Sequence, residues 1–320
     1  MKTSVALCTY NGEKFLVEQL ESILAQTHAV DEIVICDDGS TDSTISILNS
    51  YQKRYPSLFR IYFNKQKLQS VRNFEKAISL CGNDIVFLSD QDDIWLENKV
   101  EKILRVFEER WDISVVCTNG FIIDEKSQLL DKIPIWDFPK IVTEQGYIFD
   151  YYNILNLVGN FSTGATMAFR REFISCAFPF PIYEGMHHDR WIALVAALKN
   201  KFLFFDKKII GYRLHSAQQV GSVFHENTPE EISWISNYFR IDKQHKSFKE
   251  YKKLLRRFAV AYSLNNKLLN EHPQQQKFFV ENINELRRRF IALQAEMDEK
   301  FPLSAFFLKI SDYLLGKRKL

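Results

Sequence analysis

Residues 84–93 read Asp84-Ile85-Val86-Phe87-Leu88-Ser89-Asp90-Gln91-Asp92-Asp93. A short, unbroken apolar run closed by a polar turn is the pattern of a strand buried on both faces, as in a parallel sheet. Three carboxylates within four positions repel one another unless a cation or solvent separates them. Hard divalent ions take oxygen ligands, often one or two carboxylates completed by water and substrate phosphates. The turn is therefore suited to hold Mg²⁺ or Mn²⁺ against a diphosphate. The plainer alternative is a solvated acidic turn in which Asp93 caps the next helix.

The same rhythm extends on both sides. Ser4–Thr9, Glu32–Cys36, Phe59–Phe63 and Ser114–Thr118 are compact apolar strand candidates. Helical spacing lies between them: residues 12–26, a helix from Asp42, residues 71–81, and residues 95–110 with Trp95, Val100, Ile103, Leu104 and Phe107 on one face. Alternating strands and helices predict a mainly parallel sheet flanked by helices, with ligands at the carboxyl ends of the strands. Polar clusters stand at three such ends: Thr9-Tyr10-Asn11-Gly12, Asp37-Asp38-Gly39-Ser40 and Asp90-Gln91-Asp92-Asp93. Asn-Gly and Asp-Gly are also ordinary turn formers, so the first two are ambiguous when taken singly. Further along, 124–165 reads as loops and small helices. Thr166–Arg170 is a strand, 188–199 a helix, and Phe202–Asp206 with Ile209–Arg213 a closing pair of strands. From about 228 the pattern is helical.

Five segments, in order, resemble the inverting glycosyltransferases of family 2, which have a GT-A fold. They are Thr9–Gly12, Asp37–Asp42, Ser89–Trp95, His188-Asp189-Arg190-Trp191 and Tyr212-Arg213-Leu214-His215. The flavour is that of the bacterial rhamnosyltransferase-like branch. The resemblance implies a Rossmann-like GT-A domain over 1–222, with a nucleotide-sugar half to about 118 and an acceptor half from 119, followed by a helical, basic region over 223–320. It implies that Thr9, Tyr10, Asn11, Glu13, Asp37, Asp38, Asp90, Gln91 and Arg213 bind the nucleotide sugar. Asp92 and His215 would hold Mn²⁺ or Mg²⁺, and Asp189 would be the catalytic base. The implied donor is a UDP- or dTDP-sugar, dTDP-rhamnose among them, and the implied acceptor a saccharide or lipid-linked saccharide of bacterial surface polysaccharide. A Gly159–Gly164 segment would line the pocket or form a plain turn. The Gln-x-x-Arg-Trp motif of processive relatives is missing, which favours adding one or a few sugars.

The residues themselves keep alternatives open. Asp189 begins an amphipathic helix and could simply cap it. His215 at a strand end could be merely hydrogen-bonded. A sugar-phosphate nucleotidyltransferase shares such carboxylates but usually carries a Gly-rich basic loop in place of Thr-Tyr-Asn-Gly-Glu. A non-catalytic nucleotide or carbohydrate binder has no need of Asp189 in its cleft.

Composition sets the outer limits. The chain has 320 residues, 46% hydrophobic, enough for a large core. Its five cysteines are scattered and lack any CxxC pair, as in a reducing compartment. The first residues show no signal-peptide pattern, and no apolar stretch reaches the roughly 18 residues of a membrane span. The expectation is a cytoplasmic protein. Residues 241–320 hold 17 Lys/Arg against 9 Asp/Glu, and the rest 25 against 31, so an acidic front precedes a basic tail. Lys252, Lys253, Arg256 and Arg257 interleave with apolar residues, as do Arg287–Arg289. Phe306, Phe307, Ile310, Leu314 and Leu315 precede Lys317-Arg318-Lys319. Such helices suit an anionic membrane surface or an apolar stripe packed on the protein itself. No nucleic-acid-binding module is recognised.

Overall fold

The computed structural model describes residues 1–216, 218, 224–243 and 246–315, without the side chains of 242, 243 and 313–315. The chain opens as expected: β1 (Thr3–Thr9), α1 (Leu16–Leu24), β2 (Glu32–Asp37), α2 (Thr44–Arg54), β3 (Phe59–Phe63), α3 (Gln69–Leu80) and β4 (Ile85–Ser89). A two-residue strand β5 (Ile94–Trp95) then precedes α4 (Lys99–Glu109) and β6 (Val115–Ile123). Helical spacing puts Trp95 on the helix. It lies instead on β5, buried against the Phe87 ring at 5.7 Å. Next come β7 (Lys132–Pro134), α5 (Phe138–Glu144), β8 (Tyr147–Ile148), α6 (Tyr151–Leu157), β9 (Met167–Arg170), α7 (His188–Leu198) and β10 (Phe202–Arg213). The chain continues through β11 (Phe224–Glu226), α8 (Pro229–Phe239), β12 (Asp242–Lys243), α9 (Phe248–Glu271), α10 (Gln276–Lys300) and α11 (Pro302–Leu315).

The main sheet has the order β3-β2-β1-β4-β9-β6-β10-β5. β1 is parallel to both β2 and β4, with Thr9 paired to Asp37 and Leu7 to Ser89. That register brings the ends of three strands side by side. β9 runs antiparallel between β4 and β6, which makes the sheet mixed. Val5, Leu7, Ile33, Ile35, Ile85 and Phe87 are fully or almost fully buried and pack with Leu16, Leu20 and Ile23 of α1. The closing pair of strands read from the sequence is one strand. β10 runs parallel to β6 over its whole length, and its two register shifts bracket Lys208, so bulges replace the expected turn.

Two compact units emerge: Met1–Asp137 with Phe161–Thr228, and Phe138–Asn160 with Pro229–Leu320. A GT-A domain over 1–222 would keep 138–160 with the sheet. Its side chains are committed to the C-terminal helices instead: Phe138 meets Phe239 at 4.9 Å, and Tyr152 donates to Asn282 Oδ1 at 2.6 Å. In this second unit α9 and α10 pack through Leu254, Leu255, Phe258, Phe279, Leu286 and Phe290, all buried. Asn282 Nδ2 also bonds Asn265 and Asn156, so this buried amide is paired. A capping box of Ser247 and Glu250 starts α9. Much of the basic tail's apolar stripe is therefore internal. Leu303, Phe306, Phe307 and Ile310 of α11 remain exposed. The Leu314 and Leu315 side chains and Lys317-Arg318-Lys319 fall outside the described residues.

Candidate active site

The first two strand-end loops are tied together by their own polar side chains. Asp37 is buried and accepts from Thr9 Oγ1 at 2.7 Å, from Ser40 Oγ at 2.5 Å, and from the Gly39 and Ser40 N–H groups. Asn11 takes a left-handed φ of 49°, which Asn tolerates, and accepts from Thr41 N at 2.8 Å. Glu13 accepts from Ser43 N at 2.8 Å, while Asp42 accepts from Glu13 N and Thr44 Oγ1 from Gly12 N. Asn11, Glu13 and Asp37, read as nucleotide contacts, are thus spent on bracing the loops, and none of them lines the cleft beneath. Asp38 does line it, held by Asn64 Nδ2 and the N–H groups of Leu68 and Gln69. Thr9 and Tyr10 line it as well. Gln91 clips Tyr10 from across the cleft, accepting from its N–H at 2.8 Å and donating to its carbonyl at 3.0 Å.

The third strand end supplies the carboxylates. Asp90 and Asp92 line the cleft, and Asp189 faces them from the first turn of α7. Burial first, then repulsion by Asp92 and Asp189, pushes Asp90 up to about 7. Asp93 turns inward and is 1% exposed. Its Oδ1 accepts from Arg213 N at 3.1 Å, and its Oδ2 has no hydrogen-bond partner. Burial, then Asp92 and Asp90, holds it well above the ordinary carboxyl range. Behind it Lys99 is fully buried, donates to the Ala165 carbonyl at 2.7 Å and stands 4.0 Å from the Trp95 ring centre. Burial pulls Lys99 down to about 7, against the opposing pull of Asp93 and Asp90.

Arg213 corrects an expectation. The resemblance implies a nucleotide-sugar contact, yet Arg213 is fully buried. Its guanidinium donates to the Asp92 carbonyl (2.7 Å), the Asp124 carbonyl (3.1 Å), Ser127 Oγ (3.0 Å) and Glu18 Oε2 (2.6 Å), and it packs over the Phe15 ring. Every donor arm named here points into the protein, so Arg213 fixes the acidic turn. Two residues on, His215 Nε2 lies 2.8 Å from Asp92 Oδ2. Adjacent donors of an octahedral Mg²⁺ or Mn²⁺ shell stand about 3 Å apart, so this oxygen–nitrogen pair fits two neighbouring positions. Among the described residues no group of three or more His, Cys, Asp or Glu side chains is placed to hold a metal ion by itself, so the remaining positions would fall to water and phosphate. Asp189 Oδ2 accepts from Gly164 N at 3.2 Å and its Oδ1 from Arg190 N at 2.5 Å, which fixes the carboxylate at the cleft wall.

Comparison with known proteins decides the family. The profile of "Glycosyl transferase family 2" matches residues 4–178. The chain belongs to glycosyl transferase family 2. An uncharacterised glycosyltransferase of Nostoc sp. is 29% identical over 221 residues, covering 68% of this chain and 66% of that one. The dTDP-rhamnosyl transferase RfbG of Shigella flexneri is 28% identical over 281 residues, covering 82% of this chain and 88% of its own length. The chain thus spans just under two thirds of the first relative and most of the second. TarS of S. aureus, residues 1–349 in complex with UDP-GlcNAc, matches with a TM-score of 0.56 at 17% identity, over 99% of this chain and 93% of that one. The fold is GT-A.

The cleft also contains His188, to which the sequence alone assigns no role. His188 is 6% exposed and stacks on Phe74 at 4.0 Å, and neither ring nitrogen has a hydrogen-bond partner. Burial pulls it down to about 4, so it is neutral at pH 7. A Cβ at Gly164 would stand 2.8 Å from its Nε2, so only glycine lets that backbone approach both His188 and Asp189. The signal lay in the motif His188-Asp189-Arg190-Trp191, where adjacent residues on a helix face different directions. His187 is exposed at the helix start, as that divergence requires. Thr163 and Gly164 line the cleft, as does Tyr212.

Proposed function

We propose that this chain transfers one sugar from a UDP- or dTDP-sugar to a hydroxyl of a saccharide or lipid-linked saccharide, with inversion at C1. The observation that carries it is that Asp189 lines the same cleft as Asp90, Asp92 and the Thr9–Tyr10 loop. A pure binder has no use for an isolated carboxylate facing a donor site. In the proposed reaction the acceptor oxygen attacks C1 on the face opposite the diphosphate, and the bond from C1 to the diphosphate oxygen breaks. Asp189 takes the acceptor's proton. A divalent cation held by Asp92 and His215 would supply positive charge against the departing diphosphate. Asp38, Thr9 and Tyr10 bind the nucleoside, and the buried, neutral His188 offers a hydrogen bond to the sugar or acceptor. RfbG is named a dTDP-rhamnosyl transferase, which supports a nucleotide-sugar donor. No helix among the described residues is long and apolar enough to cross a membrane. We place the chain on the cytoplasmic side, where the exposed apolar face of α11 would meet an anionic membrane surface.

The test joins binding to turnover. UDP- and dTDP-sugars are titrated with and without Mn²⁺, and transfer is followed by nucleotide release. Asp189→Asn should keep donor binding and lose at least a hundredfold in rate, in line with loss of a positioned general base. Undiminished transfer in that variant would remove the base assignment. Asp92→Ala should abolish the Mn²⁺-dependent part of donor affinity; wild-type binding and turnover unaffected by EDTA would remove the metal role.

A further inference from the structure

Four cations of the second unit, Arg240, Lys246, Lys253 and Arg257, line a small recess between the end of α8 and the start of α9. Its one acid, Glu250, is occupied in part by the Ser247 N–H and Oγ, at 2.7 and 2.8 Å. Lys246 stands 3.8 Å from Glu296. Among the described residues Arg240, Lys253 and Arg257 have no carboxylate within 4.0 Å. Arg257 donates one Nη2 bond to the Tyr238 carbonyl at 3.2 Å, while its Nη1 is buried without a partner. Arg240 rests over the Tyr147 ring at 5.6 Å. Partial desolvation of its ammonium group, then repulsion by Arg257 and Arg240, pulls Lys253 below the ordinary lysine range.

A buried guanidinium N–H without an acceptor is costly, and three like charges facing one recess add to that cost. An anion supplied from outside relieves both. A carboxylate carries one charge and two oxygens. A phosphate carries nearly two charges and three oxygens that suit the arginine fork. We propose that this recess is an oxyanion site for a phosphate or diphosphate group, bound by Arg240, Lys253 and Arg257. The inference does not depend on the reaction assigned to the cleft.

The full chain is titrated with inorganic pyrophosphate by calorimetry, and floated with phosphatidylcholine vesicles with and without phosphatidic acid. Wild type, Arg257→Gln and Lys253→Glu are compared; Lys253 is exposed, so its replacement spares the fold. Binding should weaken about tenfold or more in each variant and fall as salt rises. Binding of pyrophosphate supports the site with a soluble phosphate as its source. Binding only to vesicles that contain phosphatidic acid, weakened in both variants, supports it with a lipid headgroup as the source. Binding to neither ligand overturns the proposal, and so does binding that both variants retain at wild-type strength, because the phosphate would then be held elsewhere.

Discussion

A single hydrogen at Gly12 keeps the Thr9–Gly12 loop in place. Gly12 has no positive φ, so its role is space: a Cβ there would overlap Gln91 Oε1. Gln91 is the clip on both backbone groups of Tyr10, which lines the cleft. Gly12→Ala should displace Gln91, leave the fold intact and weaken donor binding roughly tenfold, the worth of one or two neutral hydrogen bonds. Calorimetry with the donor, paired with an unchanged melting curve, checks this. Donor affinity equal to wild type would mean that the Gln91 clip is irrelevant to binding. Asp37 and Arg213 carry a related lesson: charged residues beside a site often hold its walls.

At the scale of elements, Arg213 joins the end of β10 to α1 through Glu18, to the β4–β5 turn through the Asp92 carbonyl, and to the turn after β6 through Asp124 and Ser127. Lysine cannot reproduce that fork. Glu18 is 46% exposed, so the ion pair itself counts for little, and the buried bonds to backbone carbonyls dominate. Arg213→Lys should cost about 2 kcal/mol in urea unfolding. Because the Asp92 backbone is freed, Mn²⁺ dependence should shift to higher metal concentration; an unaltered metal titration would separate Arg213 from the acidic turn.

For the whole molecule, the second unit carries a charge cluster whose contribution changes with pH. Glu285 accepts from Arg288 and Arg289, and Arg289 also reaches Asp150 at 2.6 Å. The hydrogen bonds from Arg288, opposed by burial and reinforced by Arg289, lower Glu285 from its ordinary range to about 2. A depressed carboxyl pKa stabilises the fold at pH values above the unfolded pKa, and this contribution disappears as pH falls from about 4.5 towards 2. Glu285→Gln should be less stable than wild type by up to about 1 kcal/mol at pH 7. The difference should vanish at the acid end of that window. A stability gap that persists unchanged in acid would assign the effect to packing.

The sequence by itself determined the alternation of strands and helices, the buried run Ile85–Ser89 and the motifs at the strand ends, because these rest on local periodicity and turn chemistry. It placed Asp90, Asp92 and Asp189, and the structure brings all three to one cleft. It did not show that Asn11, Glu13, Asp37 and Arg213 hydrogen-bond to neighbouring loops and lie outside the cleft lining, since a polar residue's partner is chosen by packing and not by its neighbours in the chain. It divided β10 in two, because bulges and turns read alike in one strand. The commitment of residues 138–160 to the C-terminal helices was equally hidden. Only the tertiary structure could decide it, because an apolar face seen in sequence states that it must be buried and leaves open which surface will bury it.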